Sequence, residues 1–160
     1  MPELTLILMR HAKSDQASGE ADIDRELNPR GARQAPEAGQ WLASNIGEID
    51  LAVVSPANRA RATWNLASAE LNEQPLTWID RRVYNASVTD LLDVVHELPE
   101  NARTVVIVGH NPGIEELASL LTNGSLPMST AAIAVLGSDV AWSSAGESSA
   151  VLRAAEKPQA

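Results

Sequence analysis

Hydrophobic and polar positions along the chain follow two periodicities in turn. Short, nearly continuous apolar runs are typical of strands buried on both faces, and they span residues 4–9, 51–54, 76–79, 104–108 and 131–136. Between them, apolar positions recur every three or four residues, which predicts amphipathic helices. This alternation predicts an α/β fold with three layers, α/β/α, and a mainly parallel sheet.

Start signals place a helix after most of these strands. Asn28-Pro29 is a capping residue followed by a proline suited to the first helical position. Ser55-Pro56 opens a second helix, which we expect to run to about Leu71. Residues 87–90 resemble a capping box, and Asn111-Pro112 starts the last predicted helix.

The length of 160 residues fits a single domain, which we expect to span residues 1–145. The stretch 146–160 is polar and rich in serine and alanine, so it is predicted to be a partly disordered tail. The polar stretch 17–26 is predicted to be a loop. His96 lies among acidic residues on the polar side of its helix, so we expect it to be solvated and salt-paired.

Composition excludes several classes of function. A formal net charge of −9 argues against a nucleic-acid or anionic-membrane partner, because both require a basic surface. The chain has no cysteine, which excludes thiolate catalysis, disulfides and Cys-ligated zinc. The N-terminal apolar run is too short for a signal peptide or a membrane span, so we expect a soluble cytoplasmic protein. Nothing in the sequence indicates the oligomeric state.

Candidate chemistry lies at the carboxyl ends of the predicted strands, where open α/β sheets bind ligands. Arg10 and His11 follow the first strand, Arg59 lies in the first turn of the second helix, and His110 follows the strand 104–108. Each residue also has a purely structural interpretation. Arg10 and His11 could be a polar strand end, and Arg59 a solvated helix residue. His110 could be a residue at a helix start that donates to a carbonyl oxygen. Metal binding is the competing chemistry for His11 and His110. No closely spaced carboxylate accompanies either histidine and the flanking arginines repel cations, so we expect no metal and no cofactor.

Four motifs resemble the histidine phosphatase superfamily, the phosphoglycerate-mutase-like enzymes. LILMRHAKSD resembles its opening signature, with Arg10 and His11. LNPRGARQA resembles the stretch leading into the first helix, VVSPANRARAT the second motif with Arg59, and VVIVGHNPGIEEL the third with His110. The short chain and the segment MSTAAIAVL are most similar to the SixA-type phosphohistidine phosphatases. The resemblance covers Leu4 to about Leu136.

The resemblance implies a phosphoglycerate-mutase-like fold and a metal-independent phosphatase. His11 would be the nucleophile that becomes phosphorylated, and Arg10, Arg59 and His110 would hold the phosphoryl group, with Ser14 as a further substrate-binding residue. The implied partner is a phosphohistidine-containing protein or a small phosphorylated metabolite. Two alternatives stay open: a small-molecule phosphomonoesterase of the same fold, and a catalytically idle phosphoprotein-binding module. A metal-dependent hydrolase is a weaker option.

The sequence departs from larger family members in one respect that bears on the substrate. Those members carry a glutamate general acid, and the corresponding region, WIDRRVYNASVTD, contains no residue that aligns with it. An asparagine six residues past the nucleophile in mutase-like members is Ala17 here. Both departures favour a substrate with an easily displaced leaving group, such as phosphohistidine. If an acid exists, Asp15, Asp24 and Tyr84 are the first candidates.

Overall fold

A computed structural model of the chain describes residues 2–16 and 19–160, so Ala17 lies outside the described residues. Strands and helices alternate along most of the chain: β1 (Leu4–Arg10), α1 (Pro29–Asn45), β2 (Leu51–Val54), α2 (Asn58–Ser68), β3 (Leu76–Ile79), α3 (Val88–His96), β4 (Thr104–Gly109), α4 (Gly113–Thr122), β5 (Ile133–Ser138) and β6 (Ala150–Glu156). Short 3-10 turns occupy residues 22–24, 81–83 and 142–144. Within the described residues, no helix has the length and apolarity needed to cross a membrane.

The strands form one sheet in the order β3-β2-β4-β1-β5-β6. The first four strands in this order are parallel to one another, whereas β5 and β6 run antiparallel to their neighbours. Arg10 pairs with Gly109 at the carboxyl ends of β1 and β4. His11 comes directly after Arg10, and His110 comes directly after Gly109. This register therefore brings the two histidines to the same edge of the sheet.

Helices cover both faces of the sheet. Alternate residues of β1 point to opposite faces, so Ile7 and Met9 pack against α1 and α2, and Leu6 and Leu8 pack on the other side against α3 and α4. Each fully buried side chain of this kind contributes about 1.5–3 kcal/mol through the hydrophobic effect. The three-layer α/β/α fold with a mainly parallel sheet is therefore confirmed.

Glycines in α1 bring it close to the loop that follows β1 and to α2. A Cβ atom at Gly31 would overlap the carbonyl oxygen of Lys13, and one at Gly39 would overlap the carbonyl oxygen of Ala67. Only glycine allows this close backbone approach, so α1 fixes the loop beyond His11 in place.

Two predicted helix starts are confirmed by their caps. The Asn28 side chain accepts a hydrogen bond from the Gly31 N–H at 2.8 Å, and Ser87 and Asp90 form a reciprocal capping box. The second helix begins three residues later than predicted, at Asn58, because the Ser55 side chain accepts from the Ala57 N–H and forms a turn instead.

The prediction of a partly disordered tail at residues 146–160 is wrong for residues 150–156. Residues Ala150–Glu156 form β6, which pairs antiparallel with β5 at the edge of the sheet. Backbone hydrogen bonds to a neighbouring strand compensate for the low strand propensity of the alanines, which the sequence pattern alone does not indicate. The chain before β6 packs against α3, where His96 Nε2 lies 2.7 Å from the carbonyl oxygen of Ala145. His96 was therefore wrongly predicted to be a solvated, salt-paired residue.

Candidate active site

His11 directly follows β1, and the residue is buried, with only 8% of its surface exposed. Its Nδ1 atom lies 2.8 Å from the carbonyl oxygen of Ala12. A carbonyl oxygen can only accept, so Nδ1 carries the hydrogen and the lone pair of the neutral ring is on Nε2. The arrangement presents Nε2 as a nucleophile in a fixed tautomer.

The loop after β1 is tied directly to the helix that carries Arg59. The backbone N–H of Ala12 donates to Thr63 Oγ1 at 2.9 Å, and the same hydroxyl donates to the carbonyl oxygen of Arg59 at 2.6 Å. The hydroxyl of a buried threonine thus joins two segments that the sequence separates by about fifty residues.

His110 stands beside His11 at the end of β4, with the two ring centroids 5.0 Å apart. The backbone N–H of His11 donates to the carbonyl oxygen of Gly109 at 3.0 Å, which fixes the two strand ends together. On its other side, His110 Nε2 lies 2.7 Å from Ser55 Oγ at the end of β2. The two histidine rings are thus held by three neighbouring strands of the sheet.

Arg59 lies in the first turn of α2 and is 6% exposed. Its Nη1 atom donates to the carbonyl oxygen of Asp22 at 2.7 Å and its Nη2 atom to the Asp22 carboxylate at 3.1 Å. The guanidinium group is therefore positioned by the 3-10 turn 22–24, whereas Arg10 is held by a different segment.

Arg10 is held by the segment between α4 and β5. Its Nη1 atom donates to the carbonyl oxygen of Met128 at 3.0 Å. The N–H of Met128 in turn donates to Glu115 at 2.8 Å, and the Asn111 amide donates both to Glu115 at 2.6 Å and to the Met128 carbonyl at 3.0 Å. Glu115 thereby supplies a carboxylate that offsets the charge of Arg10 without contacting it.

Asp22 organises the rim of the site. Besides Arg59, its carboxylate accepts from the Tyr84 hydroxyl at 2.6 Å and from Arg25 Nη1 at 2.9 Å. Arg25 also donates to Ser14 Oγ at 2.8 Å. Ser14, predicted to bind substrate, is thus connected to the rim through Arg25.

Burial and the nearby cations keep both site histidines neutral. Burial, with a further contribution from Arg59 and Arg10, lowers the pKa of His11 to about 4. Burial followed by the proximity of His11 lowers the pKa of His110 to about 3. At the rim, hydrogen bonds from Tyr84 and then Arg25 hold the pKa of Asp22 well below its usual range, so this carboxylate is ionised.

Three buried side-chain atoms in the described part of the chain have no hydrogen-bond partner: Arg10 Nε, His110 Nδ1 and Asn111 Oδ1. Arg10 is the last residue of β1, and His110 and Asn111 directly follow β4, so all three lie at this edge of the sheet. Buried polar groups are normally paired because an unpaired one costs about 1–3 kcal/mol. Their concentration at one place is typical of a binding site.

The structure brings Arg10, His11, Arg59 and His110 to one site, as their positions in the sequence predicted. It also brings in polar residues that the sequence analysis did not assign to the site: Asp22, Arg25, Ser55, Thr63, Asn111 and Glu115. Of the three candidate acids, Tyr84 lies at the rim, with its ring 5.6 Å from that of His110. Among the described residues, no group of three or more His, Cys, Asp or Glu side chains is arranged to hold a metal ion.

Comparisons with known proteins identify the family and agree with this fold. Residues 6–83 match the model of the histidine phosphatase superfamily, branch 1. An uncharacterized protein of Mycobacterium tuberculosis is 38% identical over 115 residues, which cover 72% of this chain and 70% of that protein. The chain belongs to the histidine phosphatase superfamily.

Solved structures of similar proteins cover the whole chain. A protein provisionally named phosphohistidine phosphatase SixA, from Nakamurella multipartitia, matches with a TM-score of 0.85 at 31% identity, over 100% of this chain and 99% of that one. A protein histidine phosphatase SixA in complex with tungstate has the same fold, with a TM-score of 0.84 at 23% identity and 97% coverage of both chains. The predicted phosphoglycerate-mutase-like fold and the SixA-type branch of the superfamily are confirmed.

Proposed function

We propose that this phosphatase removes the phosphoryl group from phosphohistidine on a partner protein. The observation that carries the proposal is the tautomer of His11, whose Nδ1 atom faces the Ala12 carbonyl oxygen at 2.8 Å. A residue that only binds phosphate must donate a hydrogen bond to its oxygens. This ring instead offers the lone pair of Nε2, which can attack phosphorus. This difference favours catalysis over the alternative of an idle phosphoprotein-binding module.

The surrounding groups suit transfer of a phosphoryl group. Charge in such a transition state spreads over the equatorial oxygens, so catalysis consists mainly of positioning and electrostatic stabilisation. Arg10 and Arg59 would donate to those oxygens, and His110 would add a further donor from Nδ1. Because these cations neutralise the charge, we propose that the reaction needs no metal ion.

The proposed reaction has two displacements on phosphorus. His11 Nε2 forms a bond to phosphorus while the bond to the leaving group breaks, and the ring keeps its hydrogen on Nδ1 against the Ala12 carbonyl. Water then attacks phosphorus, the electron pair of the P–N bond returns to Nε2, and the proton lost by water stays on the phosphate released. Neither step changes the protonation of His11.

The rim supports phosphohistidine rather than an alkyl phosphate as the substrate. Expulsion of an alkoxide calls for a proton donor, and such donors typically contribute about 10²–10⁴-fold. Asp22 is ionised, and the Tyr84 hydroxyl already donates to it at 2.6 Å, which raises the pKa of Tyr84. Neither is suited to act as an acid. A protonated phosphoimidazole needs no acid, because its leaving group departs as neutral imidazole.

The proposal is tested by comparing kcat/KM on a phosphohistidine protein with kcat/KM on a panel of alkyl phosphates that includes glycerol phosphate and phosphoglycerate. We expect the phosphohistidine protein to be preferred by at least about tenfold, a modest part of the usual contribution of an acid. Equal or faster turnover of an alkyl phosphate would favour the small-molecule phosphomonoesterase. Each assay is repeated with EDTA, and loss of activity that zinc or magnesium restores would contradict the metal-independent mechanism.

A further inference from the structure

The residues around the candidate site differ in depth. The side chains of Asp22 and Arg59 are 49% and 8% exposed, and His11 is as buried as Arg59. The nucleophile therefore lies at the bottom and Asp22 at the mouth. In an in-line displacement the leaving group departs on the side opposite the nucleophile, which is the side of the mouth.

Contacts connect Asp22 to the other side chains of the site. Its Oδ2 atom accepts from Arg59 and from the Tyr84 hydroxyl. The Tyr84 ring is edge-on to the ring of His110 at 5.6 Å, and His110 lies 5.0 Å from His11. These contacts connect the Asp22 carboxylate and the Tyr84 ring to the two histidines from the more exposed side of the site.

We infer that Asp22 and Tyr84 form a leaving-group subsite that selects a cationic aromatic ring bearing an N–H group, namely the protonated imidazole of phosphohistidine. This rests on the proposed function and adds the groups that recognise the ring. Asp22 Oδ1 accepts only from Arg25 among the described residues, whereas a carboxylate oxygen can accept twice. Its second lone pair can accept from the ring nitrogen that does not carry phosphorus.

The charge of the mouth fits a cationic leaving group and disfavours an anionic one. In the protonated substrate the ring is positive, and the P–N electron pair returns to nitrogen when His11 attacks, so the ring leaves neutral and keeps its N–H. An alkoxide or phenolate instead gains negative charge next to Asp22, which is unfavourable at short range. A substrate that carries its own carboxylate beside the phosphate is repelled before any reaction occurs.

The Tyr84 ring adds an apolar wall to the same subsite. Its hydroxyl is bound to Asp22, and its ring flanks the passage to His110. Aromatic faces attract cations and flat rings, so the tyrosine and the carboxylate select for the same leaving group.

The test compares Asp22→Asn with the wild-type enzyme on phosphoimidazole and on p-nitrophenyl phosphate. The asparagine oxygen can still accept from Tyr84, and Arg59 keeps its 2.7 Å bond to the backbone carbonyl, so the site is not dismantled. Loss of one charge-assisted hydrogen bond should lower kcat/KM for phosphoimidazole on the order of tenfold. Turnover of p-nitrophenyl phosphate should fall much less or rise, because its leaving group becomes an anion, and the ratio of the two rates measures the subsite.

Glu26→Gln is the matched control, since it removes the same charge from an exposed position of the same loop and should leave both rates unchanged. If Asp22→Asn lowers both rates equally, Asp22 acts only by holding Arg59. The inference of a leaving-group subsite is then refuted, while the proposed function stands. An unchanged kcat/KM of Asp22→Asn on phosphoimidazole refutes the leaving-group subsite as well. If the wild-type enzyme turns over neither phosphoimidazole nor a phosphohistidine protein, the proposed function itself fails.

Discussion

His110 Nε2 lies 2.7 Å from Ser55 Oγ, a contact that joins the ends of the adjacent strands β4 and β2. Ser55 Oγ also accepts from the N–H of Ala57 at 3.2 Å, which leaves its own hydrogen available for donation. Donation to Nε2 favours the His110 tautomer with hydrogen on Nδ1, the buried atom that has no partner among the described residues. Ser55 thus turns His110 into a donor towards the site.

Replacement of this serine should therefore impair catalysis without unfolding the protein. We expect Ser55→Ala to lower kcat/KM by about tenfold, the usual effect of one well-placed hydrogen bond. Ser68→Ala is the control, because Ser68 is also a buried serine but lies at the far end of α2. Unfolding temperatures close to wild type in both variants, with full activity in Ser55→Ala, would show that the serine does not control His110.

The nucleophile can be identified directly by trapping the phosphorylated enzyme. Brief reaction with labelled substrate should place phosphate on His11 as an adduct that is labile to acid and stable to alkali. His11→Ala should abolish both labelling and turnover while the protein stays folded, because His11, although buried, lies outside the apolar core clusters. Peptide mapping checks the site, and label on Ser14, Ser55 or His96 would refute the assignment.

Two arginines of α2 offer a matched pair of variants. Arg59 is 6% exposed and faces the site, whereas Arg61 lies two residues further on, is exposed and donates to the Pro56 carbonyl at 3.0 Å. Arg59→Ala should lower kcat/KM by on the order of a hundredfold or more, as expected for the loss of a preorganised donor. Arg61→Ala should retain wild-type kinetics, and comparable losses in both variants would point to an effect of helix stability or net charge.

The fold could be predicted because its strongest signals are local. Buried parallel strands form apolar runs, as at Leu51–Val54, and capping residues such as Asn28 mark helix starts regardless of tertiary contacts. β6 escaped prediction because its conformation is determined by pairing with β5, whereas its alanines and exposed side chains carry no strand pattern.

The same distinction between local sequence signals and long-range contacts applies to the site. Arg10, His11 and His110 could be located because they end or directly follow strands whose carboxyl ends meet at one edge of the sheet. Asp22 could not, because it lies in a polar loop and owes its position to Arg59, which is 37 residues away in the sequence. Side chains that join distant segments leave no periodic or spacing signal in either segment.

The ionisation of His11 provides the last prediction. A histidine must be neutral to attack phosphorus, and the unperturbed pKa of about 6.5 would leave much of it protonated in mildly acidic solution. Burial, with Arg59 and Arg10 nearby, lowers the pKa of His11 to about 4. The nucleophile therefore stays neutral as the pH falls to 5, and activity of the free enzyme should be lost only near pH 4.

Removal of a nearby positive charge should shift this titration upward. Arg59→Ala takes away one of the cations that disfavour protonated His11, so the pKa of His11 should rise towards that of a free histidine, although burial still keeps it low. NMR titration of the His11 ring measures the pKa independently of activity, and Arg61→Ala serves as the control. A His11 pKa near 6.5 in the wild-type enzyme would contradict the buried neutral nucleophile. An unchanged pKa in Arg59→Ala would instead show that Arg59 does not contribute to the shift, leaving burial and the other nearby cations as its causes.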